Sequence, residues 1–260
     1  MNLMRPFSLA SVIITLLSVS VKAHFQVIMP KDDKISILSA PFSIKILFTH
    51  PMEQGPVMEM GMPKQFGVLV NGKKINLLKQ LKVKKIDGRQ TFNLDYKFNA
   101  PGDYIFYIEP APYWEPMEQK MIIHYTKTVV DVLGAEEGWD QMVGFPVEIE
   151  PLTRPYSLYT GNLFQGIVRK NGKPVPFAEV EVELYNEGKK YIAPNDAYVT
   201  QVIKADPNGV FSYAIPKAGW WGFSALVDGD KKMKNPQGKE VDVELGALIW
   251  VKAVDMKKAK

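Results

Sequence analysis

Phe42-Ser43-Ile44-Lys45-Ile46-Leu47-Phe48-Thr49-His50-Pro51 is the stretch that decides how the chain is read. Phe42, Ile44, Ile46 and Phe48 alternate with Ser43, Lys45, Leu47 and Thr49, and a period of two places the first set on the buried face of a strand. His50 keeps the buried parity. Pro51 has no N–H to give to a ladder and stops the strand there, so the pattern predicts an imidazole at the mouth of a core.

The same reading extends in both directions. Asn71-Gly72 joins Gly67–Val70 to Lys73–Leu77, and Asp87-Gly88 punctuates the next pair of strands; both dipeptides tolerate the positive φ of a tight hairpin. Ala100-Pro101-Gly102-Asp103 turns the chain into Tyr104–Ile108. Lys120 to Val132 reads as another strand, with Ile122 and His124 on one side and Met121, Ile123 and Tyr125 on the other. Between Gly134 and Thr160, Pro146, Pro151 and Pro155 interrupt any regular element, which places a domain boundary near Pro151.

A second run of strands follows. Asn171-Gly172 is again a turn, and Ala178 to Leu184 alternates strictly, so that Glu179, Glu181 and Glu183 read as the solvent face of a strand. Asp206-Pro207-Asn208-Gly209 turns into Val210–Ile215, and Val241–Val251 closes the pattern. No stretch holds a helical period. The expected fold is all-β: two consecutive antiparallel β-sandwich domains, over residues 24–150 and 151–260.

Residues 1–23 read as a secretory leader. Arg5 precedes an apolar run from Leu9 through Val21, and Val21-Lys22-Ala23 supplies a cleavage site. The run is short for a membrane span. Cleavage after Ala23 makes His24 the first residue of an exported, periplasmic protein, whereas a cut after Ser20 leaves it internal. The leader takes Arg5 and Lys22 with it, leaving 30 basic against 28 acidic residues, or +2. That balance gives no reason to invoke nucleic acid. There is no cysteine, so the fold is held without disulfides, and a metal site has only nitrogen, oxygen or thioether donors.

Three histidines in the whole chain, His24, His50 and His124, make a short ligand list. A terminal histidine offers its amine and its imidazole to one ion, and neutral imidazole suits nickel, cobalt, copper and zinc alike. Just after His50, the loop Met52–Met62 adds methionines and carboxylates, from which Glu53 and Met58 are further candidate ligands. Methionine equally fills core gaps, and the loop has the length and glycines of a lid. Trp114 is read either as a shield for the site or as a core aromatic. No serine–histidine order, phosphate loop or HExxH motif is present, and the chain is read as a non-enzyme.

Phe48-Thr49-His50-Pro51-Met52-Glu53, Glu109-Pro110-Ala111-Pro112-Tyr113-Trp114-Glu115-Pro116, Ile123-His124-Tyr125-Thr126-Lys127 and Glu137-Gly138-Trp139-Asp140 resemble signatures of the DUF4198 family. In the second half Pro151–Pro155 and Ala218–Phe223 match it too. Gly172-Lys173-Pro174-Val175-Pro176 also resembles a transthyretin-like or carboxypeptidase-regulatory sandwich, a scaffold without fixed chemistry. The resemblance to DUF4198 implies a periplasmic component of a nickel or cobalt uptake system that binds Ni(II) or Co(II) and serves a membrane transporter complex. Two other readings stay open: a histidine-brace copper protein, either chaperone or oxidase-like enzyme, and a metal-free adhesive or carbohydrate-binding pair of sandwiches. The oligomeric state is not encoded in any of these patterns.

Overall fold

The computed structural model describes residues 24–259. The expected leader and its cleavage point lie outside those residues. The regular structure that is described consists of strands and two single-turn 3-10 helices, Leu78–Gln80 and Asp196–Tyr198, which agrees with the all-β expectation. No described helix is long and apolar enough to cross a membrane.

Three sheets carry the fold. The amino-terminal sheet orders Phe25–Pro30, Phe42–Thr49, Arg89–Tyr96 and Lys82–Ile86, with Val57–Met58 added on Phe42–Thr49. The carboxy-terminal sheet is built on Val147–Pro151, Leu163–Lys170 and Val210–Ala214. Between them runs a central sheet of 11 strands. Its main path is Gln201–Lys204, Glu179–Leu184, Gly219–Asp228, Val243–Val254, Lys120–Val132, Gly102–Glu109, Gln65–Val70 and Lys73–Asn76.

The predicted turns form as read. Asn71 and Gly72, Asp87 and Gly88, and Asn171 and Gly172 all have positive φ at hairpin corners. Phe42, Ile44, Ile46 and Phe48 all enter the core between the amino-terminal and central sheets. Strict alternation also sorts the faces of the central sheet. Phe106, Ile108, Ile122 and Val130 face the amino-terminal sheet, whereas Ile105, Tyr107, Ile123 and Tyr125 face a larger core shared with the carboxy-terminal sheet.

The two halves do not simply follow one another. Met121–Thr128 pairs in parallel with Val243–Trp250, so one sheet runs through both sandwiches. Without that partner, Met121–Thr128 would present an unpaired ladder edge. Val147–Pro151 pairs with Leu163–Lys170. The chain therefore passes from one half to the other between Val132 and Val147, and Pro151 ends a strand of the carboxy-terminal sheet.

A third, smaller core locks the seam. Phe25, Val27 and Met29 from the first strand pack on Trp220, Leu248 and Trp250 from the second half. Trp250 Nε1 donates to the Gln26 carbonyl at 2.9 Å. Gly222 makes this possible, because a Cβ there would lie 2.8 Å from the Trp250 ring and 3.0 Å from Phe25.

Beside the seam, Asp103 and Asp131 stand directly opposite each other in register, both buried. Like charges so placed repel. Burial above all pushes the Asp103 carboxyl up to about 6, and the neighbouring Asp131 charge adds to this against the stabilising bond from Tyr156 Oη, 2.8 Å away. The unfolded carboxyl loses its proton near 3.8, so between these values the folded state binds more protons and stability falls as pH rises from about 4 to about 6. Asp103→Asn keeps an acceptor for Tyr156 and removes the charge. Urea unfolding is expected to show the variant gaining roughly 1–2 kcal/mol over the parent at pH 7 and little at pH 4. Equal gains at both pH values would show that charge is not the cause.

Candidate metal centre

His24 immediately precedes the first strand, His50 ends the Phe42–Thr49 strand, and His124 lies on the face of Lys120–Val132 that carries Ile122. The antiparallel pairing of Phe25 with Thr49 brings the first two together, and their ring centroids are 4.5 Å apart. The Phe48 ring is 5.7 Å from His24 and 5.8 Å from His124. Two of the imidazoles therefore flank one phenylalanine, and the third stands against His24.

The second half helps to build this place. His124 is in register with Gly246, and a Cβ at that position would come within 2.3 Å of the His124 ring. The imidazole lies flat over a strand that only glycine leaves bare. Glu244, on the same strand, brings its carboxylate to 3.9 Å from His124 Nε2, and Lys120 Nζ reaches the other oxygen at 3.4 Å. Burial pushes the Glu244 carboxyl up, but the facing His124 and Lys120 more than offset this and hold it below the usual range.

Nor is the turn after His50 a loose flap. Met52 N donates to Glu183, while Asn186 donates to the Pro51 and Met52 carbonyls. This overturns the solvent-face reading of the alternating glutamates: only Glu179 is exposed, and Glu183 is fully buried. Burial, then the nearby carboxylates beginning with Glu244, push Glu181 up to about 8, and burial raises Glu183 to about 7. Strict alternation had one face apolar and one polar, but here both are covered.

The imidazoles have the chemistry of ligands. Burial first, then the His50 and His124 rings, lower His24 to about 3, which favours its neutral, metal-donating form. Its Nε2 lies 3.0 Å from Glu115 Oε2. His124 is buried with neither ring nitrogen hydrogen-bonded, an uncommon and costly state that a bound cation would relieve. His124 opens on a cavity of about 30 Å³ lined also by Gln26, Phe48, Met60, Tyr113 and Ile122. Among the described residues, however, no three His, Asp or Glu side chains form a finished metal cage. Donors must rotate to meet on one ion.

The other two candidate ligands follow His50 in the chain. Met58 is paired across from Phe48, its side chain in the amino-terminal core. Glu53 lies in the turn, where its charge acts on Glu183. Met60, Tyr113, Glu115 and Glu244 are the neighbours that local reading passed over. Tyr113, not Trp114, stands against His24, at 5.9 Å, and Trp114 packs on the larger core. Glu115 belongs to a quoted motif, but only the Tyr113–Ile122 pairing carries that motif to the imidazoles.

A family described as "Domain of unknown function (DUF4198)" matches residues 21–229. No curated protein matches the sequence. Solved structures with similarity include the adhesin InvE of Yersinia pseudotuberculosis, at 12% identity and a TM-score of 0.23 over 85% of this chain. The chain spans 58% of that adhesin's length. Native alpha-2-macroglobulin from Escherichia coli, spanning domains MG0-NIE-MG1, has 9% identity and a TM-score of 0.25, covering 88% of this chain and 72% of its own. The D00-D0 domain of Intimin has 10% identity and a TM-score of 0.22, covering 88% of this chain and 100% of its own.

The bare strand under His124 gives a direct test. Gly246→Ala is expected to cost about 1–3 kcal/mol by overpacking and to shift the His124 ring resonances, while circular dichroism keeps its strand signature. An unchanged His124 spectrum would show that the ring does not rest on Gly246.

Proposed function

The chain belongs to the DUF4198 family, and from that premise we propose that it captures a divalent first-row metal, Ni(II) or Co(II), as cargo for a membrane uptake transporter. The observation that carries this reading is the convergence of His24, His50 and His124 from sequence-distant positions: His24 and His124 flank the Phe48 ring, and His50 stands against His24. Neutral imidazoles are intermediate donors suited to such ions, and the surrounding carboxylates favour a cation over a neutral guest. His24 and His50 flank paired strands of one sheet and His124 stands on the facing one, so the donors come from two packed layers. Placement in the periplasm rests on the leader-like residues 1–23, and the role is that of a carrier and not of an enzyme.

Copper is the second reading, favoured by the possible terminal amine of His24 and by the higher affinity of Cu(II) for nearly any nitrogen site. Affinity alone does not name the natural cargo. Protein exported through its own leader is expected to retain about one metal ion per chain, measured by mass spectrometry of the metal content. Free Ni(II) or Co(II) at 100 times its Kd is expected to raise stability by ~2.7 kcal/mol. His24→Ala, His50→Ala and His124→Ala should each abolish that gain, and Met58→Leu and Glu53→Gln report whether the turn after His50 supplies further ligands. Absence of retained metal together with no stabilisation by nickel, cobalt or copper would sink the proposal, and redox turnover with copper and a reductant would move it to the copper enzyme.

A further inference from the structure

Glu115 is held at both oxygens. Oε1 accepts from the Met117 backbone N–H at 3.0 Å, and Oε2 lies 3.0 Å from His24 Nε2. The residue is buried at the end of the Tyr113–Glu115 strand, whose pairing with Lys120–Ile122 fixes its backbone. A carboxylate only accepts hydrogen bonds. The His24 nitrogen facing it therefore carries the ring hydrogen, and the other nitrogen, Nδ1, keeps its lone pair.

The two ring nitrogens are not equivalent toward a metal. Nδ1 and the backbone nitrogen of the same residue close a six-membered chelate on one ion, whereas Nε2 points away from its own backbone and cannot. We infer that Glu115 is the positioning residue of the metal centre: by taking the Nε2 hydrogen of His24 it commits Nδ1, together with the amine of a processed His24, to chelating a divalent transition metal. The inference rests on the metal-capture reading above and adds the residue that selects the donor atom. Carboxylates that accept from the far nitrogen of a ligating imidazole fix its tautomer and ring plane and raise its basicity. His124 has no such holder, since Glu244 stands beyond hydrogen-bond distance. The centre thus has one preset donor and one that turns to meet the ion.

The experiment uses full-length protein exported through its own leader, with its first residue identified by mass spectrometry. Parent, Glu115→Gln and Glu115→Ala are compared by two readouts: long-range proton–nitrogen NMR of the His24 ring in metal-free protein, and titration with Ni(II) and Cu(II). The parent is expected to show the Nε2–H tautomer. Glu115→Ala is expected to mix the tautomers and weaken metal binding 10- to 100-fold. Glu115→Gln, whose amide oxygen still accepts, should retain the tautomer and most of the affinity, which separates positioning from simple loss of fold.

A parent that binds metal with a Glu115→Ala variant of the same tautomer and affinity overturns this inference and leaves metal capture standing. An Nδ1–H tautomer in the parent, or a first residue other than His24, overturns it as well. A parent that binds neither ion overturns both.

Discussion

The parallel ladder between Met121–Thr128 and Val243–Trp250 is the constraint on which everything else depends. It makes the two sandwiches one body by giving them a common sheet. It also places Gly246 beneath His124 and Glu244 beside it, so that the candidate site has a floor from one half and imidazoles from the other. The first strand then closes the seam from above. Phe25, Val27 and Met29 face the tryptophans of the second half, while Ile28 faces the amino-terminal core. A strand apolar on both sides has no solvent face, and all six of its residues are buried. That double burial is what fixes the backbone next to His24.

Local rules carried far into this fold and then stopped at a definite kind of question. The Phe42–Phe48 alternation, the Asn-Gly and Asp-Gly corners and the two faces of Lys120–Val132 are consequences of a period of two and of positive φ, and both are written in neighbouring residues. The parity of His50 likewise gave its place at the mouth of a core. Which strand lies beside which is set by pairing across more than a hundred residues, and nothing near Met121 or Val243 announces the other. The shared sheet was therefore not legible, and neither was the part that the second half takes in the site.

The same limit explains the glutamates. Glu179, Glu181 and Glu183 alternate with valines, a pattern that signals one wet face only if nothing covers it. Here the turn after His50 covers Glu183 by donating from Met52. The candidate ligands Glu53 and Met58 were chosen for nearness in sequence to His50, and the chain that turns after Pro51 puts Glu53 where its charge acts on Glu183 and Met58 beside Phe48. Glu115, 91 residues from His24 in the chain, stands 3.0 Å from its Nε2. Periodicity reports faces, and ligands are chosen by register.

Site and seam are for this reason thermodynamically one object. His24 and His50 are carried on the amino-terminal sheet and His124 on the central sheet, with its bare floor supplied by the second half. An ion that bridges His124 to either of the others binds only the state in which the sheets are packed, and so stabilises that packing by mass action. The reverse follows by linkage: loosening the Phe25–Trp250 contact moves His24 away from His124 and lowers affinity by the same free energy. A buried His124 with neither ring nitrogen hydrogen-bonded weakens the metal-free protein. That cost falls on the contacts that join the halves, so the interface that positions the ligands also bears the cost of keeping them ready.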